Sequence, residues 1–386
     1  MENQNNKVLK TNVNPSRYRG YWSTMTIISL FLVLLIGLMW LKVDGDYLPN
    51  TNQLVSESAA RADLFLKLKQ ADLYHQESYL EVPTGVYLQS LSFVSANDVY
   101  INGFIWQTYP STQNIDKLGV YFPEEVYGTT VPELRYTEVH DGNTTYGWYF
   151  EVTVRQPFDY SKYPLDHKTV WLRILSTDFS GKTLLIPDLS SYPSTSPGVS
   201  FGLDDQILLG NWEINETFFD YKMNAYQTNF GFMERTSGVV PELHFNVVLK
   251  RKFVNAFVVQ LIPLLTVAVL LFAILLSLTK DRDRLTISGF SQMAVIGSVS
   301  ALFFVVVISH VNIRTKFPSQ GIVYIEYFYL VMYVIMMLMV VSSFVYHKDD
   351  RWYSQFFRHD SLLPKLIYWP LTLFSMVIIS YFVLLY

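Results

Sequence analysis

The sequence predicts a membrane protein in which one N-terminal transmembrane helix precedes an extracytoplasmic antiparallel β-sandwich, and a four-helix transmembrane bundle follows it. Three observations predict this. Half of the 386 residues are hydrophobic and the mean hydropathy is +0.20, which bounds the chain as a membrane protein with one sizeable water-exposed portion. Apolar runs long enough to span a bilayer stand near both ends. Between them the pattern changes to short alternating runs rich in aromatic and β-branched residues.

Residues 1–20 are polar and carry Lys7, Lys10, Arg17 and Arg19 against Glu2 alone, whereas residues 21–43 are almost wholly apolar. The positive flank puts the N-terminus in the cytoplasm. The apolar run is longer than a signal-peptide core and no small-x-small site follows it, so it reads as an uncleaved anchor. Residues 44–78 form a helical connector, because Leu54, Ala59, Ala62, Leu64, Leu66, Leu68 and Leu73 recur from Gln53 to Glu77 without Pro or Gly. Residues 79–252 hold the sandwich. Its strands are expected in GVYLQSLSF, DVYINGFIW, YGWYFEVTV, KTVWLRIL, NWEINETFF and ELHFNVVLK, with Ser180 to Gly202 a long surface loop. Residues 253–386 hold four spans: Phe253 to Leu278 with Pro263 inside it, Asp283 to His310, Ile322 to Tyr346, and Leu366 to Tyr386. With the N-terminus inside, the sandwich and the C-terminus lie outside.

The span from Asp283 to His310 carries serine and glutamine that lipid would not favour. At about 100° per residue, Ser288, Ser291, Gln292, Val295, Ser298, Val299, Leu302, Val306 and Ser309 share one broad sector. A polar stripe at membrane depth faces protein or water. Close helix packing explains the serines alone; Gln292 and the charged DRDR segment before the helix favour a water-lined pore with an aliphatic constriction.

Composition removes other classes. A net charge of −4 gives no electrostatic argument for nucleic acid. Cysteine is absent, so disulfides, thiolate metal sites and cysteine nucleophiles are excluded. A large outer domain without a disulfide suggests a bacterial plasma membrane, and the sequons at Asn143 and Asn215 are weak signals. No HExxH or phosphate-loop arrangement occurs, so no enzyme, metal site or cofactor is expected.

Several motifs in order resemble the pentameric ligand-gated ion channels, particularly bacterial members that lack the family's disulfide. Residues 156–174, QPFDYSKYPLDHKTVWLRI, are similar to the signature loop, with Pro164 and Asp166 matching its Y/F-P-x-D core. VPTGVYLQSLSFVSANDVYINGFIWQTY resembles the first two strands. In LKRKFVNAFVVQLIP, Arg251 matches the basic residue at the membrane junction and Pro263 the proline of the first bundle helix. VNIRTKFPSQG, with Pro318, stands in the place of the coupling loop, and the resemblance runs over residues ~79 to 386.

The resemblance implies a homopentamer whose outer domain binds a small molecule or protons and opens a pore for inorganic ions, cations being slightly favoured. The family spacing puts Ser288, Gln292, Val295, Val299, Leu302 and Val306 along the pore, and a three-residue slip gives Ser291, Val295, Ser298, Leu302, Val305 and Ser309 instead. Coupling falls to Asp98, Phe158, Pro164, Asp166, Arg251 and Pro318, with Phe158, Pro164 and Leu165 touching the turn around Phe317. Asp166 with Arg251 reads equally as a structural ion pair. Trp106, Tyr121, Phe179, Tyr226, Phe230 and Phe232 are candidate ligand residues, a set that suits an amine by cation–π attraction, although packing explains single aromatics. His310 either titrates at the outer mouth or hydrogen-bonds to the turn. The anchor departs from the family pattern, its copies either ringing the bundle or sitting apart. The alternative function is a non-conducting sensor or scaffold of the same fold that signals through a membrane partner.

Overall fold

A computed structural model describes residues 15–45, 47, 52–71, 79–112, 118–126, 132–178, 183–228, 239–278, 292–318, 321–347 and 358–386. The chain divides into two compact units. Tyr47–Asp159 and Asp166–Lys252 make one; Met1–Asp46, Tyr160–Leu165 and Phe253–Tyr386 make the other.

The first unit opens on helix α2 (Glu57–Gln70). It starts four residues after the expected Gln53, because extended Ser56 caps it by accepting a bond from the Ala59 amide at 3.2 Å. Ala60, Leu64 and Leu68 line its buried face. The strands are β1 (Leu80–Phe93), β2 (Asp98–Pro110), β3 (Val120–Tyr121), β4 (Glu133–His140), β5 (Asn143–Arg155), β6 (His167–Ser176), β7 (Thr183–Pro187), β8 (Trp212–Ala225) and β9 (Val239–Arg251). They form two sheets, ordered β4-β5-β2-β1-β7 and β3-β6-β9-β8. The expected strand segments lie in these elements, except that NWEINETFF starts one residue before β8, at Asn211. Two expectations change: β7 occupies part of the predicted loop from Ser180 to Gly202, and it pairs parallel with β1, Leu80 opposite Thr183. Its TLLIP sequence explains the strand, since three consecutive aliphatic residues need a core.

Alternation then sorts the side chains. Val86 and Ile105 are opposed in register and fully buried, so Tyr87, Phe104 and Trp106 point to the other face. Phe219 and Phe245 pack at 4.9 Å in the core, and the Tyr221 hydroxyl on β8 donates to the Leu185 carbonyl on β7, joining a strand of each sheet. The β4–β5 hairpin turns at Asp141 and Gly142, both with positive φ, the twist that two-residue hairpin loops require.

Among the described residues the second unit has five helices long and apolar enough to cross a membrane: α1 (Pro15–Gly45), α3 (Phe253–Ser277), α4 (Gln292–Lys316), α5 (Tyr324–His347) and α6 (Arg358–Ser380, continuing as a wider turn over Tyr381–Leu385). α3 widens over Phe257–Leu261, just before Pro263, which brings no amide hydrogen to the helix ladder. The anchor α1 packs against α6 through a stripe at helical spacing, Leu32, Ile36, Met39 and Val43. At its end the Trp40 indole donates to the Tyr324 hydroxyl at 2.7 Å, and that hydroxyl meets Ser380 Oγ at 2.6 Å. α4 runs on to Lys316, beyond the expected end at His310. VNIRTK is therefore helical, and the chain leaves the helix only at Phe317, where Pro318 disfavours a helical predecessor.

Candidate functional site

An aromatic cavity of about 690 Å³ opens on the outward face of β1 and β2. Tyr87, Phe104, Trp106 and Tyr136 supply one wall, and the 191–205 segment with Tyr192, Phe201 and Asp205 the other. Gly85 stands opposite Trp106 in register, and a Cβ there would lie 2.1 Å from the indole, so glycine makes room for the ring. The indole donates to Asp188 at 2.8 Å and its ring lies 5.9 Å from that of Tyr192. The Tyr192 hydroxyl accepts from the Val86 amide and donates to the Val86 carbonyl; burial raises its pKa. Tyr87 donates to Asp204 at 3.2 Å. Faces of aromatic rings beside carboxylates attract an organic cation.

Among the described residues of the expected ligand set, Trp106 alone lines this cavity. Tyr121 and Tyr226 belong with the other sheet, and Phe179, Phe230 and Phe232 lie outside the described residues. Tyr226 enters a charged network that the sequence reading missed. Arg173 grips Glu242 through two bonds of 2.9 Å, meets Glu124 at 3.0 Å and donates to Tyr226 at 3.0 Å, while Tyr226 donates to Glu242 at 2.6 Å. Burial favours a neutral Glu242, but hydrogen bonds from His244, Arg173 and Tyr226 outweigh it and bring the carboxyl down to about 2. Burial, with the bond to Glu242 and its charge, pushes the Tyr226 hydroxyl up to about 12. The available signal was Arg173 and Glu242 on alternating strands, each at a position whose neighbours face the core.

Asp166 and Arg251 do meet. Arg251 donates through Nε at 2.6 Å and Nη2 at 3.1 Å, and its guanidinium lies 4.0 Å over the Trp212 ring. A third member joins them: buried Lys168 reaches Asp166 at 2.9 Å and also donates to the Asp159 carbonyl. Burial opposes the Asp166 charge, yet the two cations hold its carboxyl below the ordinary value, while burial dominates at Lys168 and lowers the ammonium. Lys168 was legible in principle, since i and i+2 share a face at the start of a strand. Asp98 takes two bonds from Arg155, at 2.7 and 3.2 Å, which lower its pKa.

Phe317 makes ring contacts that the sequence reading did not name. Tyr160 and Tyr163, in the Tyr160–Leu165 segment of the helical unit, lie 4.6 and 4.8 Å from Phe317. Phe158 packs at 5.5 Å from Phe93 and 6.2 Å from Trp171 in the two-sheet unit. The Tyr324 amide donates to the Ser161 carbonyl at 2.8 Å. Pro164 follows a cis peptide bond in this segment, and Pro318 is exposed.

On α4, Val295, Val299, Val306 and Ile313 are at most 3% exposed, so the stripe expected to face a pore packs inside the helical unit. Gln292 and Leu302 are half-buried beside it, and Ser288 lies outside the described residues. The opposite sector, Met293, Gly297, Ser300, Ala301, Phe304, Ile308 and Val311, is exposed. His310 turns to α5, 3.1 Å from the Tyr333 hydroxyl and 3.3 Å from Glu326, a buried carboxylate that also accepts from Arg314 and the Val323 amide. A scan against protein-family models finds no match for the chain, and a search of curated proteins finds none either.

Proposed function

We propose that the chain is one subunit of a homopentameric ligand-gated ion channel, in which an organic cation or another small stimulus at the Trp106 cavity opens a pore along the exposed face of α4. In this reading the two sheets form a β-sandwich outside a bacterial plasma membrane, and α3 to α6 form the pore bundle. The single observation that supports it best is the seating of Tyr160 and Tyr163 on Phe317. The segment between β5 and β6, which carries the family-like Y-P-x-D motif, is thereby fixed to the turn that follows α4. The Asp166, Lys168 and Arg251 cluster at the ends of β6 and β9 stiffens the same strands.

The pore face is assigned from packing rather than polarity. Five copies of a helix whose Val295, Val299 and Val306 face inward can present only the opposite sector to a central axis. Rings of Phe304 and Ile308 would then close the pore by dewetting. The test is planar-bilayer or liposome-flux recording of the purified protein with tetramethylammonium and across a pH series, with Phe304→Ala and Val299→Ala alongside. Phe304→Ala should increase or prolong current, and Val299→Ala should chiefly lower thermal stability. Gain of current from Val299→Ala alone would return the pore to the polar-stripe register, and silence from a protein shown by mass to be pentameric would sink the channel reading in favour of a membrane sensor.

A further inference from the structure

We propose that Glu216 is a positioning residue through which the N-terminal segment of the chain sets the wall of the Trp106 cavity. Glu216 sits at the bulge in the β8–β9 pairing between Ile214 and Glu216, and it is 1% exposed. Among the described residues no cation pairs with it. Three neutral donors from two distant stretches hold it instead. Its Oε1 accepts from the Tyr47 hydroxyl at 2.8 Å and from Gln53 Nε2 at 2.9 Å, and its Oε2 accepts from the Gly198 amide at 2.8 Å. A carboxylate out of water needs such donors, because each one lost leaves charge without compensation.

Both stretches are laid along β8 around it. On the N-terminal side the Leu54 amide donates to the Phe219 carbonyl at 2.9 Å, and the Val55 carbonyl accepts from Thr195 Oγ1 at 3.0 Å. On the cavity side the Thr217 amide donates to Val199, and Thr217 Oγ1 exchanges bonds with the Phe201 amide and carbonyl at 2.7 and 2.8 Å. Val199, Phe201 and Gly202 are cavity wall. Gly198 holds φ at +80°, and its amide hydrogen points at the carboxylate from a conformation other residues rarely adopt. Tyr47 follows α1 by two residues. The segment that begins at Tyr47 is thereby joined through Glu216 to the wall at Gly198.

This inference rests on the reading of the cavity as the ligand site, and two measurements on the full chain in lipid nanodiscs separate the two ideas. Amide hydrogen exchange over residues 195–202 reads the wall without any ligand. Titration calorimetry with tetramethylammonium reads the cavity. In Glu216→Ala, exchange over 195–202 should rise about 10-fold, the change that ~1.4 kcal/mol of lost holding energy produces, while β2 exchange stays put. Tyr47→Phe touches neither the wall nor the cavity, yet it should raise the same exchange by roughly 3-fold, in line with the loss of one hydrogen bond. Tetramethylammonium affinity should fall in both variants by similar factors. Exchange that is unchanged in Tyr47→Phe overturns the proposal, whatever Glu216→Ala does, since Glu216 would then serve β8 alone. If the wild-type protein does not bind tetramethylammonium, the amine reading falls and exchange alone decides the role of Glu216.

Discussion

Glu242 carries a clear acid dependence. A carboxyl whose folded-state pKa is depressed stabilises the fold above its unfolded-state value and loses that contribution as pH falls toward the folded one. For Glu242 the window runs from 4.5 down to about 2. Melting temperatures measured across this range should show the gap between wild type and Glu242→Gln narrowing as pH falls; a constant gap would mean that another group dominates. Arg251→Ala leaves buried Asp166 with Lys168 alone and should cost about 3–5 kcal/mol. Arg251→Lys should recover only part of it, because an ammonium cannot make both bonds of the fork. At the cavity, Gly85→Ala should displace the Trp106 ring and break its bond to Asp188, lowering tetramethylammonium affinity about 10-fold for roughly 1.4 kcal/mol lost; unaltered affinity would place the ligand elsewhere.

At the scale of elements, strands and spans were legible because alternation and apolar length are local properties. Val86 against Tyr87, and Ile105 against Trp106, show their faces without any knowledge of partners. β7 was hidden because its reason for being a strand is β1, about a hundred positions earlier. On α4, polarity and packing do not coincide, for a different cause. In water, apolar side chains mark the packed face; in lipid, neighbours and tails are equally apolar, so polarity does not report packing. Val295 and Val299 pack while Gly297 and Ser300 are exposed, the reverse of what a polar pore stripe implies. The junction was half legible: Asp166 and Arg251 stood out as a motif, whereas Lys168 required knowing that its strand start is buried. Accordingly Val299→Ala should cost about 1–2 kcal/mol as a cavity forms, and Ile308→Ala less than ~0.5 kcal/mol as an exposed change. Equal losses in thermal melts would contradict the assignment of faces.

For the molecule as a whole, the anchor is an integral fifth helix of its unit. Trp40 bonds to Tyr324, Tyr324 to Ser380, and the Trp40 ring lies 5.4 Å from Phe253, so α1 is tied to three other helices. Trp40→Phe keeps a ring and removes one donor, for a loss of about 1 kcal/mol. Combined with Tyr324→Phe it should show a coupling energy of about 0.5–1 kcal/mol in a double-mutant cycle of melting; additivity would mean that the bond contributes nothing. The absence of cysteine also makes any introduced thiol a unique label for following α1 against α6.

Trp40 and Tyr324 stand 284 positions apart, and that separation bears on how the protein is made. During synthesis α1 is made while α5 and α6 do not yet exist, so its indole N–H and its Leu32 to Val43 stripe lack these partners until the later helices arrive. A nascent chain stalled after the sheets carries an unclasped first helix. The Trp40 clasp can thus close only once α5 has been made, so a shielded indole marks a chain that has reached that helix.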